Sequence, residues 1–360
     1  MRPLARVKED TVLEFLYEYG LFLAQAVTLV VAILLVVAGV FALGSRQRHE
    51  PEGHVEIRKL NDRYKDIHDS LQAEVFGEEV AKQKHKEEKK AAKKEAKQQK
   101  KAGSAATNDK LRLYILNFDG DIRASATDNL REEISAVLGL ARNGDEVLVR
   151  LESGGGMVHS YGLASSQLDR IRKRKIPLTV CVDKVAASGG YMMACVGNHI
   201  LAAPFAIIGS IGVLAQLPNF HRLLKKANVD YEQLTAGEYK RTLTMFGENT
   251  DAHREKLQEE LEDTHVLFKQ FVGENRASLD IDSVATGEVW YGQQAIDKGL
   301  VDELMTSDSY IQGALAERDV FEIRHVLKKG WQEKLGMAAE GSVERAFLKV
   351  WQLSQQRFNL

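Results

Sequence analysis

From residue 111 onward, short apolar runs alternate with helix-length amphipathic stretches, and that alternation leaves few folds open. Residues 111–116 read as a strand that ends at the turn Asp119-Gly120-Asp121-Ile122, and 128–142 as a helix. Residues 146–151 read as a second strand, closed by Ser153-Gly154-Gly155-Gly156. Residues 157–175 form the second helix pattern and 177–182 a third strand. Strands alternating with helices of this length predict an α/β domain with a mostly parallel sheet. Ligands in such sheets sit beyond the carboxyl ends of the strands, and both glycine clusters, 154–156 and 189–190, fall there. Two glycine-rich turns on adjacent strand ends could meet around one bound group.

The second cluster carries a serine. Ser188 stands in Val185-Ala186-Ala187-Ser188-Gly189-Gly190-Tyr191, between a buried-type strand and an apolar helix pattern. Small neighbours leave its hydroxyl accessible, and glycine lets backbone N–H groups approach a ligand closely. A strand-to-helix corner also lies at the positive end of a helix dipole. Such a corner suits a nucleophile whose tetrahedral intermediate must be stabilised. No histidine motif stands nearby to take the serine's proton. The competing structural role for Ser188 is a small residue in a tight turn.

The chain has 360 residues, 44% of them hydrophobic and 28% charged, enough for a sizeable core. Its net charge of −2 gives no bias toward nucleic acid. Cys181 and Cys195 lie in apolar stretches and read as buried thiols packing as small hydrophobes. His159 and His199 lack metal-ligand spacing, so no metal site is expected, and nothing implies a cofactor. Asp119, Asp121 and Asp128 read as turn and helix-cap residues.

Residues 21–43 carry no charge over 23 positions, and about 20 suffice to cross a bilayer core. A retained membrane anchor is expected there, with contact to membrane lipid. Arg46, Arg48, Arg58, Lys59, Arg63 and Lys65 follow the span and outnumber Arg2, Arg6 and Lys8 before it, which by the charge rule places the body on the cytoplasmic side. Large domains cross membranes largely regardless of that rule. Beyond the span, Leu60, Tyr64, Ile67, Leu71 and Val75 mark an amphipathic helix. Lysine, glutamate, glutamine and alanine dominate 82–101, a solvated spacer with little to bury. The organisation expected is an N-terminal segment (1–20), a transmembrane helix (21–43), a helical or charged linker (44–108), the α/β domain (109–310) and a C-terminal helical extension (311–360).

Several motifs in order carry a family resemblance: Phe118-Asp119-Gly120-Asp121-Ile122, Glu152-Ser153-Gly154-Gly155-Gly156, Ala187-Ser188-Gly189-Gly190-Tyr191, Gly209-Ser210-Ile211-Gly212-Val213, Gly237-Glu238-Tyr239-Lys240 and Gly287-Glu288-Val289-Trp290-Tyr291-Gly292. In these the chain resembles the signal peptide peptidase A (protease IV) family of membrane-bound serine peptidases. The resemblance implies a ClpP/crotonase-like fold, no cofactor, peptide or protein substrates and a ring-shaped homo-oligomer of the bacterial inner membrane, with the catalytic domain periplasmic. On the matching positions Ser188 is the nucleophile and Lys240 the general base. Ser210 helps hold that lysine, and the N–H groups of Gly155 and Gly189 form the oxyanion hole. Only a neutral amine accepts a proton, so a lysine in that role must be desolvated. The dyad could join one chain or two. The family's usual Asn-Ser-Pro-Gly-Gly turn is altered, with Glu152 in place of Asn and Gly154 in place of Pro. Two other classes are open to such a chain: a crotonase-like acyl-CoA enzyme, which needs neither Ser188 nor Lys240, and a non-catalytic membrane scaffold.

Overall fold

The computed structural model describes residues 19–32, 53–77 and 110–327, with isolated helical positions at 17, 79, 86, 90 and 94. The described residues fall into two units, one of His54–Val326 and one that includes residues 19–32. In the latter, residues 19–32 are helical. Among the described residues no helix is long and apolar enough to cross a membrane. Positions 33–43 of the expected span lie outside the described residues, as do most of the lysine-rich run and everything after 327.

In the larger unit the chain forms β1 (Gly53–Lys59), α1 (Leu60–Phe76), β2 (Arg112–Gly120), α2 (Thr127–Leu140), β3 (Glu146–Ser153), α3 (Val158–Lys173) and β4 (Leu178–Val182). It continues with β5 (Val185–Ala187), α4 (Gly189–Ala194), β6 (His199–Ala202), β7 (Ile207–Gly209), α5 (His221–Lys226), α6 (Asp251–Asn275) and α7 (Ile281–Val284). It closes with β8 (Val289–Tyr291), α8 (Gly292–Ala295), β9 (Glu303–Leu304), α9 (Ser307–Glu317) and β10 (Asp319–Leu327). The strands form one sheet whose main path is β1-β10-β2-β3-β4-β6-β9, and every pair from β10 to β9 is parallel. The expected α/β class with a parallel-rich sheet is thus present.

Alternation along β2 sends Tyr114, Leu116 and Phe118 to one face and Leu113 and Ile115 to the other. The first face packs on Leu130, Ile134 and Val137 of α2 and on Tyr161, Ala164, Leu168 and Ile171 of α3, all buried. Their spacing of three and four places them on one side of each helix. The second face packs Leu148, Cys181 and Leu201 against Ile311 of α9 and Leu60 of α1. Both cysteines are buried free thiols, and burial pushes the Cys195 thiol up to about 12.

Two stretches depart from the expected organisation. Residues 53–59, expected in the linker, form β1, which pairs with β10. The expected boundary at 310 falls inside α9, and the sheet continues through β10 to 327. Helix α1 matches the apolar stripe, yet only Leu60 is buried, and Tyr64, Ile67, Leu71 and Val75 are exposed.

The sheet branches where the site lies. The first half of β3 pairs with β4, from Val147 opposite Leu178 to Arg150 opposite Cys181. Its last residue, Ser153, pairs instead with Ala186 of β5. Strand β5 then pairs in parallel with β7, and β7 antiparallel with β8. With Ser153 opposite Ala186, the chain two residues on brings Gly155 level with Ser188.

Candidate active site

Ser188 is the single residue between β5 and α4, and its backbone is held in an unusual conformation, φ 52° and ψ −119°. Positive φ is uncommon for a residue with a Cβ, and a serine held so at a strand-to-helix corner is the geometry that exposes a nucleophilic hydroxyl. Neighbouring backbone fixes the corner. The Ser188 N–H donates to the Gly209 carbonyl of β7 at 2.8 Å, and the Ser188 carbonyl accepts from Met192 in α4 at 3.0 Å. The residue is half-buried, while Gly189 and Gly190 beneath it are buried. Gly189 is the first residue of α4, so its N–H has no carbonyl a turn earlier to donate to.

The glycine loop after β3 closes on this corner. A Cβ placed on Gly155 would stand 2.7 Å from the Ala187 carbonyl, the Gly189 nitrogen and the Ser188 Cβ alike. Gly155 also has φ 88°, so two independent constraints require glycine there. The two glycine clusters therefore do meet, with Gly155, Ser188 and Gly189 in mutual contact distance. Exposed apolar side chains flank the loop: Ile122, Met157 and Val158. The Ile122 carbonyl accepts from Met157 at 2.8 Å.

Ser210 follows Gly209, the residue that accepts from Ser188. It too has positive φ, 52°, and its N–H donates to the Glu288 carbonyl at 2.6 Å. Lys240 stands on the segment between α5 and α6. Its side chain is exposed, and its backbone N–H donates to Gly237 at 3.2 Å. It lines a cavity of about 690 Å³ together with Leu217, Tyr231, Leu234, Leu243 and Phe246, a cavity whose wall does not include Ser188. The structure thus gathers Ser188, Gly155 and Gly189, seats Ser210 one residue from their support, and places Lys240 on a separate exposed segment of the same chain.

Comparison with known proteins bears on this arrangement. Residues 14–168 match a family described as Peptidase family S49 N-terminal, and residues 170–320 match Peptidase family S49. A protein of Haemophilus influenzae named "Probable protease SohB" is 52% identical over 334 residues, covering 91% of this chain and 94% of that protein. The chain belongs to peptidase family S49. Proteins of the same printed name occur in subspecies of the bacterium Buchnera aphidicola, among them subspecies Acyrthosiphon pisum and Schlechtendalia chinensis. The protein of subspecies Acyrthosiphon pisum is 44% identical over 339 residues, covering 94% of this chain and 98% of its own. That of subspecies Schlechtendalia chinensis is 48% identical over 306 residues, covering 83% and 99%. The two matched S49 regions divide within α3, so the glycine loop comes from one and Ser188 from the other.

Against the family's usual turn, Glu152 in place of Asn has its own partner. The Lys184 ammonium donates to both Glu152 carboxylate oxygens at 2.9 Å. The pair ties the end of β3 to the β4–β5 connection. It is solvent-exposed, so its contribution to stability is small. Gly154, in place of Pro, is exposed with nothing near the position of a Cβ.

Two buried hydroxyls behind the S49 glycine loop escaped the reading of the sequence. The Ser153 Oγ accepts from the Gly155 N–H at 3.0 Å and lies 2.5 Å from the Tyr161 hydroxyl. Tyr161 donates to the Asp121 carbonyl at 2.7 Å. Its ring also abuts Gly189, where a Cβ would collide with it. Tyr161 sits at core spacing on α3 and reads as packing alone. The signal that could have found it is a buried tyrosine eight residues after a serine in a glycine turn, since a buried phenol requires a partner.

Proposed function

We propose that this S49 protein is a membrane-anchored serine endopeptidase that hydrolyses peptide bonds with a Ser188–Lys240 dyad. The observation that carries the reading is the strained Ser188 corner against Gly155 and the first amide of α4. A serine hydroxyl held there has donors on hand for a developing oxyanion. In the proposed reaction the neutral Lys240 amine takes the Ser188 proton as its Oγ attacks the substrate carbonyl. The oxyanion accepts from the N–H groups of Gly189 and Gly155. The resulting ammonium protonates the leaving amine, and water then hydrolyses the acyl-enzyme through the same base. The exposed Ile122, Met157 and Val158 beside the loop fit small or aliphatic substrate side chains, of the kind found in signal-peptide-like and membrane-associated segments.

Placement of Lys240 supports a dyad completed between chains. No residue between 212 and 250 is buried, and Leu214, Leu223, Leu234 and Tyr239 stand largely in solvent, Leu234 at 96% exposure. Apolar exposure on this scale marks a surface that another protein covers. A second copy seated on this segment would desolvate Lys240, the condition under which an amine serves as base. The anchor is assigned to residues 21–43, uncharged throughout. Its described part exposes Leu21, Phe22, Leu23, Val27, Leu29, Val30 and Val31.

A fluorophosphonate probe on the detergent-solubilised full chain tests the nucleophile. Labelling is expected on the native protein and absent from Ser188→Ala; equal labelling of both would remove Ser188 from its role. Protease accessibility in intact spheroplasts would fix the side of the membrane.

A further inference from the structure

The glycine loop is held from behind by the two hydroxyls that this reaction does not use. The Tyr161 oxygen lies 2.7 Å from the Asp121 carbonyl oxygen, and two oxygens approach that closely only with a proton between them, which must be the phenol's. The proton between Tyr161 and Ser153, 2.5 Å apart, is then the serine's. The order of donation follows: Gly155 amide to Ser153, Ser153 to Tyr161 and, at 3.3 Å, to the Gly120 carbonyl, and Tyr161 to the Asp121 carbonyl. Ser153 is 2% exposed and Tyr161 fully buried, so water does not compete for these bonds. Burial also raises the Tyr161 phenol above its ordinary value, which keeps its proton in place.

One end of this chain of bonds is the amide assigned to the oxyanion hole. The Gly155 N–H therefore already has an acceptor, and that acceptor is in the wall behind the loop. The peptide preceding Gly155 joins two glycines, so no side chain on either residue obstructs its rotation. Gly154 is exposed with open space at its Cβ position, and Gly155 lacks a side chain to obstruct it. We infer that Ser153 is the resting acceptor of the Gly155 amide, locked in that orientation by Tyr161, and that acylation of Ser188 requires the amide to pass from the Ser153 Oγ to the substrate oxyanion. Ser153 and Tyr161 are positioning residues here; they act through Gly155 and touch no substrate. The inference rests on the reading of Ser188 as nucleophile and Gly155 as donor.

The consequence has an unusual sign. Removing a hydroxyl beside an active site ordinarily slows the enzyme, whereas removing a resting acceptor frees the donor. In Ser153→Ala the Gly155 amide has no partner at rest. Its hydrogen exchange should quicken, and phosphonylation of Ser188 by an alkyl fluorophosphonate should speed up by about two- to tenfold, the worth of one neutral hydrogen bond. Ser153→Cys, with a poor acceptor of similar size, should shift both readouts in the same direction and serves if the alanine variant does not fold. Exchange is read by mass spectrometry on the peptide spanning the loop, and the labelling rate on the full-length protein in detergent. Faster exchange with faster labelling supports the inference. Labelling that is unchanged or slower in the folded variants overturns it, as does rapid exchange of the Gly155 amide in the native protein. Failure of the native protein to label, or equal labelling of Ser188→Ala, overturns the underlying assignment of Ser188 instead.

Discussion

At Gly155 two constraints coincide that act differently on a substitution. Its φ of 88° is costly for any L side chain, and its missing Cβ is what allows Ser188 and Gly189 to close on it. Gly154, one position earlier, has neither constraint: no positive φ and open space around it. Gly155→Ala should therefore push the loop off the Ser188 corner and misplace an oxyanion donor, a loss of about 10²–10³ in the rate of Ser188 acylation. Gly154→Ala should leave that rate within about a factor of two, as for an ordinary surface site. Labelling kinetics on the two variants make the comparison, and equal losses would mean that the loop's flexibility, rather than its contact with Ser188, sets the rate. The sequence already drew attention to Ser188, Gly155 and Gly189 because glycine clusters at strand ends mark close backbone approach. It did not reveal the hydroxyls behind them. Ser153 was hidden among glycines, and Tyr161 occupies a position that helix periodicity assigns to core.

Helix α2 is fastened to strand β10 by a buried carboxyl group, a contact between elements 192 residues apart in the chain. Glu133 is 5% exposed; its Oε1 accepts from the His325 amide at 2.8 Å, and its Oε2 is buried without a partner. Burial pushes the carboxyl up to about 7, against the opposing pull of the His325 amide and the Arg324 charge. A carboxyl raised above its unfolded value binds its proton more tightly in the folded chain. Its contribution to stability is present below about pH 4.5 and is lost as pH rises through about 7. Glu133→Gln keeps the carbonyl acceptor without the charge. Its melting temperature relative to the native protein should rise between pH 5 and pH 8, and a difference that does not change with pH would remove this assignment. The sequence shows why β10 is hard to anticipate. Long strands and helices between 111 and 195 repeat their periods several times and are legible, whereas β5, β7 and β8 have three residues each, too few for alternation to register. Strands β1 and β10 lie beside charged stretches, and their places as the first two strands of the sheet come from tertiary pairing that local pattern does not carry.

For the whole molecule, a nucleophile corner built into the sheet contrasts with a lysine on an exposed segment. Ser188 is fixed by β5, β7, α4 and the glycine loop, all within one packed sheet. Lys240 belongs to the segment 212–250, which contributes nothing to the core and presents aliphatic side chains to solvent. Aliphatic exposure on this scale marks a surface that another protein covers, and the proposed surface is a second copy of this chain. If the base of each site comes from a neighbouring chain, inactive variants should restore one another. Ser188→Ala retains Lys240, and Lys240→Ala retains Ser188, so mixed assemblies contain sites with both groups intact. Random mixing of equal amounts, after dissociation and reassembly in detergent, should return about one quarter of native activity in a closed head-to-tail assembly, since each site draws its two groups from different subunits. Each variant alone should stay inactive. A dyad formed within one chain cannot be rebuilt in this way, because every subunit of the mixture then lacks one of its own groups. Fluorophosphonate labelling of the mixture, resolved by a mass tag on one variant, identifies the subunit that carries the reactive serine. Under the two-chain arrangement the label falls on Lys240→Ala subunits and only after mixing. No gain in labelling on mixing, despite co-assembly confirmed by native mass spectrometry, would place both groups of the dyad in a single chain.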